Sequence, residues 1–173
     1  RPLSKTPLMI LKNLDKKFLI NLFLVLLIFL LDRISKIYVI YLDKKFIGSE
    51  IFSSKYLNIN LIWNDGIAFG LFSFERSSLY NFLTLIIFAI IVVLIFMIAR
   101  AEGIKKYSLL MILGGASGNV FDRLFNRSVP DFIDFHIGNF HWFIFNIADV
   151  FITIGVIFMI LIEIIGNNRN LKI

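Results

Sequence analysis

The chain has no cysteine and only two histidines. Without cysteine there is no disulfide framework, no thiolate nucleophile and no Cys-ligated metal. The two histidines, His136 and His141, stand five apart in an expected loop and lack the HExxH spacing of a zinc peptidase. No histidine lies in an apolar stretch to act as base for the serine of "GASG" at 115–118, so a rhomboid-type serine peptidase lacks its partner. A presenilin-like GxGD segment is also missing. No repeat, low-complexity tract or linker divides the chain.

What the chain has instead is apolar bulk. Of its 173 residues 58% are hydrophobic and 16% aromatic, against about 45–50% apolar in ordinary globular domains. This composition describes a polytopic membrane protein, and the length suits one bundle. The net charge of +6 does not point to nucleic acid, because the basic residues cluster between apolar segments and form no evident groove. The Lys/Arg excess on the cytoplasmic side of membrane proteins explains it.

Four stretches reach the roughly 20 apolar residues of a membrane span: about 18–38, 79–99, 107–125 and 143–165. No small-residue cleavage site follows the first, which is therefore expected to be a retained anchor. The fold class expected is an all-α polytopic membrane protein with a small β-rich cradle outside the cytoplasm, one domain over 1–173. Basic residues flank the first stretch (Lys5, Lys12, Lys16, Lys17), the 2–3 connection (Arg100, Lys105, Lys106) and the end (Arg169, Lys172). Both termini are thus expected in the cytoplasm, with loops 39–78 and 126–142 outside. In "KYLNINLIW", polar Tyr56, Asn58 and Asn60 alternate with Leu57, Ile59 and Leu61, the period of a half-buried strand. "NDG" at 64–66 reads as a turn, and "IAFGLFSF" as a second extended or interfacial piece. Trp63 and Trp142 suit the aromatic belt.

With this topology the unusual polar residues gather at the outer level. Asp32 and Lys36 share a face, four residues apart. Asn119, Asp122 and Arg123 share a face of the third stretch. Asn146 and Asp149 stand near the outer end of the fourth, and Asn64, Asp131 and Asp134 come from the loops. Each has a plainer reading. Asp32 and Lys36 also fit an ion pair closing a helix end. Gly114, Gly115, Ala116 and Gly118 read as a close-packing face. Arg123 fits snorkelling or, preferably, pairing with a carboxylate. Asp134 reads as a solvated loop residue, and Asp149 also fits a carboxylate favoured by a helix N-terminus.

Paired aspartates are the chemistry left by elimination. Two carboxylates sharing a site hold one proton between them, so one can act as base and the other as acid. No metal or cofactor is needed. Asp122, Asp131, Asp134 and Asp149 are the candidates, and residue chemistry alone does not choose two.

"DRISK" at 32–36, "NDGIAFG" at 64–70, "GGASGNVFDR" at 114–123, "VPDFIDF" at 129–135 and "FNIADVFITIG" at 145–155 together resemble the lipoprotein signal peptidases, or signal peptidase II. The motifs occur in the family's order over nearly the whole chain. The resemblance implies an aspartic peptidase of the bacterial inner membrane that cuts diacylglyceryl-modified prolipoproteins just before the lipidated cysteine. It implies Asp131 and Asp149 as the catalytic pair. Asn64, Asn119, Arg123 and Asn146 would line the site, with Asp32, Lys36 and Asp122 in support. It further implies prolipoproteins and membrane lipids as partners, and globomycin-type inhibitors across the dyad. Ser117, Pro130 and Ile67 depart from the family's usual residues without removing a polar group.

Two other classes use intramembrane carboxylates. A small ion-coupled transporter would need polar residues through the whole depth, whereas the inner halves are nearly all apolar. A structural subunit would use the same cluster as interhelical glue.

Overall fold

A computed structural model describes residues 7–47, 50–66 and 77–170, with side chains over 16–47, 50–66 and 81–166. The expected "IAFGLFSF" segment, Ile67 included, lies outside them. The elements run α1 (Pro7–Lys45), β1 (Phe52–Ser53), β2 (Leu57–Asn64), α2 (Ser77–Arg100), α3 (Gly103–Asn126), β3 (Val129–Ile137), β4 (Phe140–Phe145) and α4 (Ile147–Asn170).

Among the described residues, three stretches are long and apolar enough to cross a membrane: Lys16–Lys45 in α1, Asn81–Arg100 in α2 and Ile147–Gly166 in α4. Large apolar side chains such as Phe23, Leu85, Phe96 and Ile160 stand exposed along them, as lipid-facing residues do. The third expected span forms α3, but α3 is not among the three. It packs against α1, α2 and α4. That central position lets it carry the buried polar residues Ser108, Asp122 and Arg123, which lower its apolar content.

Helix approach is set by missing side chains. A Cβ on Gly115 would strike the Ala148 carbonyl, and one on Gly118 would strike the Asp32 carboxylate. The glycine face therefore brings α4 and α1 against α3, as small residues do between membrane helices. Towards the other end, Leu94, Ala101 and Leu109 form a buried cluster with Ile98, Ile112 and Met159 around it.

The four strands make one antiparallel sheet in the order β1-β2-β3-β4. The alternation at 56–63 is realised as β2. Three expectations are corrected. The stretch 126–142 is mostly β-hairpin, not loop. Residues 143–145, assigned to the fourth span, belong to β4. Asp134 is buried on β3 rather than solvated, 4% exposed. β3 hid from pattern reading because Val129 to Phe132 and Asp134 are all buried, so no in–out alternation marks it. The hairpin did leave a signal: Gly138-Asn139, with Gly138 at φ +60, joins Ile137 to its partner Phe140. A glycine with positive φ suits a two-residue turn.

Candidate active site

The site begins with how α4 starts. Asn146 precedes the helix, and its side-chain oxygen accepts from the Asp149 backbone N–H at 3.1 Å. Asp149 Oδ2 in turn accepts from the Asn146 backbone N–H at 3.2 Å. This reciprocal capping box satisfies amides that the helix leaves unpaired. Asp149 is therefore both a cap and a carboxylate held at a fixed angle. The next orphan amide, Ala148 N–H, donates to Asp32 Oδ1 at 3.1 Å, so α1 also caps α4.

Asp131 comes from β3 and is 3% exposed. Its Oδ1 accepts from Asn146 Nδ2 at 2.6 Å and its Oδ2 from Asn64 Nδ2 at 2.9 Å. Asn146 thus contacts both aspartates, one through its side chain and one through its backbone. Burial, then the charge of Asp149, push the Asp131 carboxyl up to about 6; the Asn64 and Asn146 bonds and Lys36 oppose this. A carboxyl that titrates near neutrality suits proton transfer.

Beneath the pair lies an ion cluster. Lys36, 1% exposed, donates to Asp32 Oδ2 (2.9 Å), Asn119 Oδ1 (2.9 Å) and Asp122 Oδ2 (2.8 Å). All three ammonium protons are therefore used. Arg33 grips both oxygens of Asp122 and reaches Asp32 at 2.9 Å. Two cations and two carboxylates balance, which is the condition for burying charge. Arg33 escaped the sequence reading. Its signal was a second cation beside Asp32 in an apolar helix.

Asn119 joins this cluster to the aspartates. Its oxygen accepts from Lys36 and from Asn146 Nδ2 (3.2 Å), while its Nδ2 donates to Asp149 Oδ1 at 2.8 Å. Arg123 is buried rather than reaching to headgroups. It donates to the Gly66 carbonyl at 2.7 Å and to the Asn119 carbonyl at 3.3 Å. Gly66 N–H bonds Asn64 Oδ1 at 2.9 Å, so Arg123 anchors the turn that presents Asn64 to Asp131.

The structure thus brings Asp32, Lys36, Asn64, Asn119, Asp122, Arg123, Asp131, Asn146 and Asp149 into one bonded group. Asp134 stays outside it, bonded to His141 Nδ1 at 2.8 Å. Asp134, His136 and His141 are the described residues grouped closely enough to hold a metal ion. A cavity of about 350 Å³, walled by Phe135, Trp142, Phe145, Val150 and Ile154 among others, opens onto Asp149. Its apolar walls suit a hydrocarbon chain.

The profile described as signal peptidase (SPase) II matches residues 24–165, which contain every member of this group. The chain belongs to the signal peptidase II family. It is 47% identical to the lipoprotein signal peptidase of Pelagibacter ubique (strain HTCC1062) over 154 residues, 89% of this chain and 93% of that one. It is 37% identical to that of Anaplasma phagocytophilum (strain HZ) over 150 residues, 86% and 94% of the two chains. A bacterial membrane enzyme solved by the in meso method at 2.3 Å resolution superposes with a TM-score of 0.68, at 28% identity, covering 87% of this chain and 90% of that one. This member of the signal peptidase II family is thus a membrane protein, mostly helical with a small antiparallel sheet.

Proposed function

We propose that the chain is an intramembrane aspartic endopeptidase. It removes the signal peptide from diacylglyceryl-modified prolipoproteins, cutting just before the lipidated cysteine. Asp131 and Asp149 are the catalytic pair. The observation that carries this reading is the bridge through Asn146, which touches both carboxylates. The family and the names of its relatives supply the substrate class.

One carboxylate is ionised and the other protonated. The ionised group takes a proton from water, and the water oxygen attacks the scissile carbonyl carbon. The protonated group donates to the carbonyl oxygen, giving a neutral gem-diol. The C–N bond then breaks as one aspartate gives its proton to the nitrogen of the lipidated cysteine and the other takes a proton from a gem-diol hydroxyl. The gem-diol carbon becomes the new carboxyl terminus of the signal peptide, and the pair again holds one proton. Asn64, Asn119 and Asn146 hold the two carboxylates in place. Asp32, Arg33, Lys36, Asp122 and Arg123 act through them as positioning residues.

In this reading α3 is a span as well, so that a single membrane-embedded domain crosses the membrane four times, and both termini are cytoplasmic. The site lies near the outer face of the bacterial inner membrane, with the sheet as an outer cradle. Lipid acyl chains dock along the apolar wall beside Asp149, and globomycin-type inhibitors bind across the dyad. The test is mass spectrometry of products from purified enzyme in bilayers, given one prolipoprotein with and without diacylglycerol. The reading expects a new N-terminus at the lipidated cysteine and little cleavage of the unlipidated form. Another cut site, or no cleavage of the lipidated form, overturns it.

A further inference from the structure

A second group of ionisable side chains lies on the β3–β4 hairpin, outside the aspartate network. Asp134 and His136 are two apart on β3, and His136 pairs across the strands with His141. The two imidazoles stack, with ring centroids 5.0 Å apart. His141 Nδ1 lies 2.8 Å from Asp134 Oδ2. One ligand atom from each of the three residues lies within 4.8 Å of the others.

A plain Asp–His pair accounts for only part of this. Asp134 is 4% exposed, yet its Oδ1 has no hydrogen-bond partner, and the buried His136 Nδ1 has none either. Burying an unsatisfied polar atom is costly. Two of the three clustered residues thus carry a buried atom without a partner, a deficit that a bound cation would relieve. We propose that Asp134, His136 and His141 form a binding site for a divalent transition-metal ion of the zinc class.

The donor set selects that class. Imidazole favours zinc, copper, nickel and cobalt, whereas calcium and magnesium take oxygen ligands. Two imidazoles, one carboxylate and a water complete four-coordination. Zinc–ligand bonds of about 2.0–2.2 Å place tetrahedral ligands roughly 3.4 Å apart, so side-chain rotation of about an ångström closes the cluster. The ion takes no part in hydrolysis. It ties β3 to β4 three residues beyond Asp131 and so stiffens the strand that carries it. This departs from the sequence expectation of no metal, which rested on the missing HExxH motif and on an aspartate pair that needs none. Paired strands put the two histidines face to face.

The test uses the full chain in detergent micelles, free of any histidine tag, titrated with Co²⁺. The wild type is expected to develop the visible d–d bands of a tetrahedral site, saturating at one ion per chain and displaced by Zn²⁺. His136→Gln is the informative variant, because the His136 ring nitrogen Nδ1 makes no hydrogen bond to lose. It should keep its metal-free melting temperature while cobalt affinity falls by about tenfold or more. His141→Gln should weaken binding at least as much. Zn²⁺ should raise the melting temperature of the wild type and not of His136→Gln. No cobalt band from wild type at millimolar Co²⁺ overturns the proposal. So does a band of wild-type affinity in both variants, which places the metal elsewhere.

Discussion

Asn146 and Asp149 hold each other across the first turn of α4. The side chain of each accepts the backbone N–H of the other, at 3.1 and 3.2 Å. The same Asn146 extends its amide to Asp131 at 2.6 Å. One residue therefore fixes a helix start and the relation between a buried carboxylate, Asp131, and a half-buried one, Asp149. Asn146→Ala removes the cap, worth about 1 kcal/mol, and releases both aspartates. Cleavage should fall far more than stability does, by about a hundredfold, as for small misplacements of reacting groups. Parallel measurement of melting temperature and initial rate checks this. A rate that falls only with the folded fraction makes Asn146 a cap alone.

Lys36 is enclosed with every proton used. Lys36→Met takes away the ammonium that bonds Asp32 and Asp122, and leaves both buried carboxylates to the guanidinium of Arg33. Removing one partner of a buried ion group costs about 3–5 kcal/mol. Thermal unfolding in micelles should show a destabilisation of that order. A variant as stable as wild type shows that water or lipid headgroups reach the cluster.

Gly118 is the point where α3 meets Asp32. An added Cβ would strike the carboxylate, so Gly118→Ala must push Asp32 off Lys36 and the Ala148 amide. Overpacking of this kind costs about 1–3 kcal/mol. The melting temperature should fall, and amide exchange at the start of α4 should quicken. Unchanged exchange there would detach Asp32 from the capping of α4.

The Asp131 carboxyl rises from an ordinary value of 3.8 to about 6 in the folded chain, chiefly through burial. The folded state therefore keeps a proton that the unfolded state gives up. The resulting stability is full below about pH 4 and is lost as pH rises through about 6. It amounts to about 3 kcal/mol. Compared with Asp131→Asn, the wild type should lose melting temperature between pH 4 and pH 7. A constant difference across that range would mean Asp131 titrates normally.

Much of the arrangement is legible before any coordinates. The helices follow from apolar length, β2 from the alternation of Leu57, Ile59 and Leu61, and the small-residue face from Gly114, Gly115 and Gly118. Residue spacing grouped Asp32 with Lys36 and Asn146 with Asp149. What stayed hidden depends on long-range contacts. β3 is buried on both faces from Val129 to Phe132 and so shows no period there. Asp134 looked solvated because its partner, His141, lies beyond a turn. Arg33 points at Asp122, 89 residues away, and no local pattern records that. Arg123 holds a backbone carbonyl of the Asn64 turn, a bond without a sequence signature.

The central claim is that Asp131 and Asp149 perform the hydrolysis. The most direct measurement is the cleavage rate of a lipidated prolipoprotein by purified wild type, Asp131→Asn and Asp149→Asn, each nearly isosteric and each confirmed as folded. The account predicts that both variants lose cleavage while still binding the substrate. Cleavage at the wild-type rate by either folded variant would contradict it and remove that aspartate from the mechanism.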